Sequence, residues 1–211
     1  MVETALKVSV IIPAYFEEKT IESVVERCLP FVDEVLVVND GSTDDTTMLA
    51  MKAGARVIDL GHNMGVLRAI ERGLHEASGD ILVTLDADGQ HDPGDIPKVV
   101  QPIIEGKADL VMGERPYFPY LSEKILTWLT SLRVPCNDVS TGFRAIKHEV
   151  ARKMRLHGKC LCGTFVLEAA YHGARVTCVP ISIREREGER RIQTEHFSQF
   201  FIVLRDVIKF W

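Results

Sequence analysis

No stretch of this chain approaches the roughly 18 consecutive apolar residues that a membrane-spanning helix requires. Contact with a bilayer is therefore expected to be peripheral. A basic surplus is missing as well. The 211 residues carry 25 Lys and Arg against 30 Asp and Glu, a formal net charge of −5, which gives no electrostatic footprint for nucleic acid. Cysteine is sparse: Cys28, Cys136, Cys160, Cys162 and Cys178 are odd in number and scattered. That pattern excludes a secreted disulfide framework and suits a reducing cytosol. Cys160-Leu-Cys162 lacks the two-residue spacer and second pair of a zinc knuckle. No Gly-x-Gly-x-x-Gly follows the first apolar run, which disfavours a dinucleotide-dependent oxidoreductase. The N-terminus enters a strand directly, without the pattern of a signal peptide, so the expected location is cytoplasmic.

What is present is ordinary in amount and informative in order. Hydrophobic residues make up 46% and charged residues 26%, enough for one domain with a sizeable core. Apolar runs at 8–13, 34–39, 56–60, 81–85 and 108–113 alternate with helical patterns at 20–28, from 44 onward, at 64–77 and at 93–104. Ser42 or Thr43 is expected to cap the second of these helices, with Asp44 and Asp45 at its positive end. Alternation at this spacing predicts right-handed βαβ units around a mostly parallel sheet. The second half is less regular: an amphipathic helix at 123–134, strands at 141–146 and 175–179, and a helix at 164–172. A last helix runs from 197 to 211, with its apolar residues on one face and Arg205 and Lys209 opposite. No linker divides the chain, so residues 1–196 form the expected domain and 197–211 an amphipathic appendage.

In open α/β sheets, ligands bind beyond the carboxyl ends of the strands. Four runs here end in polar, turn-forming residues: Pro13-Ala-Tyr15-Phe-Glu17, Asn39-Asp40-Gly41-Ser42, Gly61-His62-Asn63 and Asp86-Ala-Asp88. Gathered at one edge, they would line a cleft. The last is the most telling. Alternate residues of an extended chain point the same way, so Asp86 and Asp88 can converge, with the Gln90 amide close by. Hard oxygen donors of this kind suit Mg²⁺ or Mn²⁺ that also holds a diphosphate. The same Asp, Gly and Pro residues also suit a simple turn. A basic cluster, Arg184-Glu-Arg186-Glu-Gly-Glu-Arg190-Arg191, would serve an anionic ligand or form a solvated strand end.

Taken in order, Val10-Ile-Ile-Pro-Ala-Tyr-Phe-Glu-Glu18, Val37-Val-Asn-Asp-Gly-Ser-Thr-Asp-Asp-Thr46 and Leu85-Asp-Ala-Asp-Gly-Gln90 resemble the family 2 glycosyltransferases. Gly113-Glu-Arg115, Asp138-Val-Ser-Thr-Gly-Phe-Arg144, Val179-Pro-Ile181 and Arg186-Glu-Gly-Glu-Arg-Arg191 extend the likeness over nearly the whole chain. The nearest branch is dolichol-phosphate mannose synthase and related polyprenyl-phosphate glycosyltransferases. The resemblance implies a GT-A (Rossmann-like) nucleotide-sugar fold and inverting, metal-dependent transfer of a sugar, mannose first, to dolichyl or polyprenyl phosphate. It implies that Pro13, Tyr15, Glu17 and Asp40, with Asp86, hold the nucleotide. Asp86, Asp88 and Gln90 would hold Mg²⁺ or Mn²⁺. Arg115, Arg144 and Arg186 would join Asp88 in catalysis as clamps on diphosphate or acceptor phosphate, since guanidinium groups match phosphate geometry. A lipid monophosphate is already ionised at neutral pH, so no general base is assigned.

Three departures bear on the donor. Phe16 stands where the family usually has Asn, Leu67 follows Asn63-Met-Gly65-Val66 in place of a small residue, and Gly188-Glu-Arg190-Arg191 replaces Gly-x-Ser-Lys. A UDP-linked glucose or N-acetylglucosamine is therefore the alternative donor. A glycan is the alternative acceptor, for which Glu168 or Asp138 would have to act as base. A non-catalytic nucleotide-sugar-binding partner is the rival from outside enzymology. The amphipathic helices, with Trp128 in the first, would rest on the cytoplasmic face of a membrane or form a homodimer interface.

Overall fold

The computed structural model describes residues 6–118, 120–184 and 196–209. Its centre is a seven-stranded sheet in the order β3-β2-β1-β4-β6-β5-β7. The strands are β1 (Val8–Ala14), β2 (Glu34–Asn39), β3 (Arg56–Asp59), β4 (Ile81–Thr84), β5 (Leu110–Glu114), β6 (Arg144–Lys147) and β7 (Val176–Pro180). All neighbouring pairs are parallel except those of β6, which runs antiparallel to both β4 and β5. The helices are α1 (Ile21–Cys28), α2 (Thr46–Lys52), α3 (Val66–Glu76), α4 (Ile96–Ile104), α5 (Leu121–Ser131), α6 (His148–Ala151), α7 (Thr164–Tyr171) and α8 (His196–Lys209).

Period-two alternation in the strands builds two cores. Val10 and Ile12 of β1, with Val35 and Val37 of β2, face α1 and α4 through Ile21, Val24, Ile96 and Val99. Ile11, Leu36 and Val38 face the opposite way, onto Ala69, Ile70 and Leu74 of α3. Further along that second face, Leu126 of α5, Phe165 of α7 and Val203 of α8 close the core. Side chains buried on both faces explain why the strands read as continuous apolar runs.

Several boundaries differ from the sequence reading. The strand expected at 141–146 starts at Arg144. Thr141 to Phe143 form a loop in which Phe143 N–H donates to Thr141 Oγ1, and Thr84 Oγ1 donates to the Gly142 carbonyl across from β4. Neither Ser42 nor Thr43 caps α2. Thr46 N–H donates to Asp44 Oδ1 at 3.2 Å, while Ser42 Oγ accepts from Phe16 N–H at 2.9 Å. The hydroxyl is thereby used to stitch the loop after β1 to the loop after β2. Glu17 N–H reinforces that seam by donating to Thr46 Oγ1.

The last helix divides its apolar residues between core and solvent, with Val203 and Val207 buried. Gln199 and Asp206 are buried, whereas Phe197, Phe201 and Ile208 are exposed beside Arg205 and Lys209. The polar side chains are inside because the loop before α7 needs them. Gln199 accepts from Lys159 and Cys160 N–H and donates to the Cys160 and Cys162 carbonyls, and Asp206 meets His157 Nε2 at 2.6 Å. The neighbouring α5 likewise buries Glu123, Thr127 and Thr130 and exposes Leu121, Ile125 and Trp128. Among the described residues no helix is long and apolar enough to cross a membrane.

Candidate active site

The four polar turns do meet at one edge, because β1 to β4 are parallel and send their carboxyl ends to the same side. Gly41 makes the closest approach between them. Its φ is +77°, and a Cβ there would lie 2.5 Å from the His62 Cα, so only glycine lets these loops touch. Asp40 is buried, and its two carboxylate oxygens accept from Met64 N–H at 2.7 Å and Gly65 N–H at 2.9 Å. The residue shapes the loop that precedes α3. Pro13 is half-buried near the end of β1, level with Val38. Tyr15 stands at the rim, 37% exposed. Glu17 accepts from Thr20 Oγ1 at 3.2 Å through Oε2. Phe16 has φ +55°, the region that suits Asn better than Phe, and its ring meets Tyr15 edge-on with centroids 4.5 Å apart.

The strand β4 ends at Thr84, earlier than its apolar run. Asp86 and Asp88 therefore lie in the turn beyond it and owe their orientation to that turn. Burial still alternates: Leu85 and Ala87 point inward, Asp86 and Asp88 are half-exposed. Gln90 N–H donates to Asp88 Oδ1 at 3.1 Å, closing the loop on itself. The carbonyl of Gln90 accepts from Arg184 N–H at 2.8 Å, and His91 bridges to Ile183. The chain entering the basic cluster thus runs against the acidic turn. Arg186, Arg190 and Arg191 themselves lie outside the described residues.

Beneath the turn the packing is tight. A Cβ at Gly142 would fall within the Asp86 carboxylate, so Asp86 lies flush on the backbone of the 141–143 loop. Buried His91 has its Nδ1 3.6 Å from Asp86 Oδ2, with no hydrogen-bond partner. Arg144 is wholly buried, its guanidinium 4.7 Å from the centre of the Phe165 ring. Its Nε and Nη1 have no hydrogen-bond partner. Burial lowers its pKa, opposed first by the charge of Asp86. His91 and Gly142 carry no role in the sequence reading, and only their adjacency to Gln90 and Phe143 in the motifs could have flagged them.

Arg115 is built into a different cluster. Its Nε meets Asp138 Oδ2 at 2.6 Å and its Nη2 meets Asp138 Oδ1 and Glu123 Oε2, both at 2.9 Å. Burial works against the charged guanidinium, but the two carboxylates outweigh it and raise its pKa. Burial raises the pKa of Glu123, with Arg115 opposing. Glu123 was legible in the sequence only as the first residue of an amphipathic helix. The carboxylates considered as bases are thus both engaged. Asp138 is bonded to Arg115, and Glu168 accepts from Arg155 N–H at 3.0 Å. Glu168 lies in a cavity of about 400 Å³ shared with His157, Tyr171 and Arg205, none of which belongs to the acidic turn.

The donor set fits a hard divalent cation in part. Asp86, Asp88 and Gln90 present oxygens around a turn open to solvent. Among the described residues no three His, Cys, Asp or Glu side chains converge as a closed cage. Such an open site suits Mg²⁺ or Mn²⁺ whose remaining ligands are phosphate oxygens and water.

Parallel strands delivering carboxylates and turns to one edge form the crevice at which open α/β sheets bind ligands. Comparison with solved structures narrows the class to GT-A glycosyltransferases. A glucosyl-3-phosphoglycerate synthase from Mycobacterium tuberculosis, crystallised with phosphoglyceric acid, aligns with a TM-score of 0.79 and 26% identity over 98% of this chain and 80% of its own. A further crystal structure of that synthase, holding Mn²⁺, UDP and glucosyl-3-phosphoglycerate, aligns with a TM-score of 0.75 at 25% identity, covering 98% of this chain and 78% of the other. Residues 9–155 match the model of Glycosyl transferase family 2, and the chain belongs to that family. It is a glycosyltransferase. The dolichol-phosphate mannosyltransferase of Pyrococcus furiosus is 33% identical over 92% of this chain, which spans 62% of that protein's length. The UDP-N-acetylglucosamine–dolichyl-phosphate N-acetylglucosaminyltransferase of Methanococcus voltae is 40% identical over 50% of each chain.

Proposed function

We propose that this glycosyltransferase moves a sugar, mannose in the first instance, from a nucleotide-sugar to a polyprenyl (dolichyl) phosphate with inversion at the anomeric carbon. The observation that carries the reading is the half-exposed Asp86–Asp88 turn whose Asp86 charge acts on Arg144, a buried cation with two nitrogens that lack hydrogen-bond partners. Such an arrangement suits two anionic reactants brought together. Asp86, Asp88 and Gln90 would hold Mg²⁺ or Mn²⁺, which when bound offsets charge building on the departing nucleoside diphosphate. Tyr15 supplies a flat wall for the base, with Pro13 beside it, and Glu17 and Asp40 supply acceptors for base or ribose. Arg144 raises the local potential from its buried position, and Arg186 is assigned as a clamp on the diphosphate or acceptor phosphate. Arg115 acts by holding Asp138 and Glu123, and so fixes the loop that leads to Gly142. An acceptor phosphate needs no general base, in keeping with the engagement of Asp138 and Glu168 elsewhere.

The exposed apolar side chains of α5 and α8 support a lipid acceptor. Trp128, Phe197, Phe201 and Ile208 are 62%, 81%, 56% and 66% exposed, and Arg205 and Lys209 on the same side suit anionic headgroups. Peripheral docking at the cytoplasmic face of a membrane is the reading; a homodimer through this face is what cross-linking in the absence of lipid would reveal instead.

The test is transfer of radiolabelled sugar into organic-extractable lipid, using dolichyl phosphate, Mg²⁺ or Mn²⁺ and a panel of GDP- and UDP-sugars. Asp88→Ala should reduce label at least 100-fold, roughly the scale for losing one electrostatic stabiliser, with an unchanged melting midpoint. Label from one donor identifies the sugar. No label from any donor, with nucleotide still bound, would sink the lipid-phosphate reading in favour of another acceptor or a binding partner.

A further inference from the structure

We infer that Cys136 and Cys178 form a peroxide-sensitive thiol pair, which closes to a disulfide between β7 and the loop carrying Asp138. Their sulfurs lie 3.0 Å apart although the residues are 42 positions distant in sequence. The pair is asymmetric in the way a sensing pair requires. Cys178 sits half-buried on β7, the outermost strand of the sheet, while Cys136 is buried at 4% exposure behind it. Asn137 N–H donates to Cys178 Sγ at 3.4 Å, and Cys136 Sγ lies 3.6 Å from the Asp138 carbonyl. The contact with Cys136, with backbone donors at Asn137 and Asp138, lowers the Cys178 thiol against the effect of burial, while that same contact and burial push Cys136 up. Cys178, the more exposed sulfur, is thus the one that meets the oxidant, and buried Cys136 is the resolving thiol.

The remaining cysteines lack this combination. Cys28 is buried, and burial pushes its thiol up to about 12. Cys160 and Cys162 are both buried, and the Cys160 thiol is raised by its contact with Cys162 and by burial.

The chemistry balances with a hydroperoxide as oxidant. The Cys178 thiolate attacks the O–O bond, taking one oxygen as a sulfenic acid and expelling hydroxide or alkoxide, which takes a proton from solvent to leave as water or alcohol. Cys136 then loses its proton and displaces hydroxide from the Cys178 sulfur, giving the disulfide and a second water. Two electrons pass from the sulfur pair to the peroxide. A disulfide requires about 2.05 Å between sulfurs, so the 3.0 Å contact must close by roughly 1 Å. Cys178 is held in ladder with Met112 of β5, so the 136–138 loop is the partner that yields. That loop carries the carboxylate that binds Arg115 in a bidentate pair, and oxidation therefore reaches the Arg115 cluster. The thiol pair stands on its own geometry and is independent of which sugar or acceptor the enzyme uses.

The test exposes the reduced full-length chain to hydrogen peroxide and maps peptides without reduction. A mass loss of about 2 Da and a Cys136–Cys178 cross-linked peptide, both reversed by dithiothreitol, are expected. In Cys136→Ser, Cys178 should accumulate as a sulfenic acid trapped by dimedone. In Cys178→Ser, Cys136 should survive the same exposure as a free thiol. Over-oxidation of Cys178 in the unmodified sequence without cross-linking would overturn the inference. So would first reaction at Cys28, Cys160 or Cys162, or five unmodified thiols after exposure that oxidises free glutathione completely.

Discussion

Replacing Arg144 by methionine separates what this residue does for the fold from what it does for the reaction. Its guanidinium is fully enclosed, with Nε and Nη1 unbonded. Each buried unsatisfied nitrogen costs about 1–3 kcal/mol. Against that, the Phe165 ring at 4.7 Å returns about 2 kcal/mol when desolvated. Asp86, whose side chain is 42% exposed, can be rehydrated once the cation is gone, at a cost of under about 1 kcal/mol. Methionine keeps an unbranched apolar chain in the cavity. The balance predicts that Arg144→Met stabilises the protein by roughly 1–3 kcal/mol, within the range measured when buried charges become apolar. For a chain of this size that is roughly 5 °C in melting midpoint. Turnover should fall at least about 100-fold, because the buried positive charge that acts on Asp86 is lost. Calorimetry and the lipid-extraction assay on one preparation decide the matter. A midpoint lowered by several degrees would show that Arg144 is a structural cation. A raised midpoint with intact turnover would show that the charge serves neither purpose.

Two further substitutions test local arguments. Phe16→Asn should raise the urea midpoint by the equivalent of about 0.5 kcal/mol, since Asn tolerates φ +55° better than Phe; a loss exceeding about 1 kcal/mol would mean that the edge-on contact with Tyr15 dominates. Hydrogen bonds from Arg175 hold the Asp109 carboxyl well below the usual carboxylate range, with burial opposing and Lys147 assisting. Its folded pKa is depressed, so its contribution is present above the unfolded value of about 3.9 and is lost as pH falls through the folded one. Asp109→Asn should accordingly be less stable than the original protein at about pH 6, with the gap narrowing steadily as pH falls below about 4. A gap that does not change with pH would place the effect in packing.

Much of the parallel half was legible because buried strands and amphipathic helices write their periods directly into sequence. Val10, Ile11 and Ile12 announce a strand covered on both faces, and Ile21, Val24, Val25 and Cys28 announce one helical stripe. Beyond Arg115 the correspondence loosened, since long loops route the chain between elements and the controlling contacts are non-local. The early end of β4, the reversed direction of β6 and the Asp44–Thr46 contact that opens α2 all depend on partners distant in sequence or on turn geometry. The ordering of α8 failed for a similar reason. Periodicity identified its apolar residues but not which side the 157–162 loop would claim for Gln199 and Asp206.

The sequence by itself determined the family, the alternation of strands and helices and the set of polar turns, because these are fixed by local pattern and by short motifs. Only the tertiary structure decided how the arginines differ and which cysteines meet. Arg144 lies sealed where it feels the charge of Asp86, Arg115 is paired with Asp138 and Glu123, and Cys136 faces Cys178 from 42 positions away. Burial and charge pairing depend on distances between segments remote along the chain, and those distances exist only after the sheet has assembled.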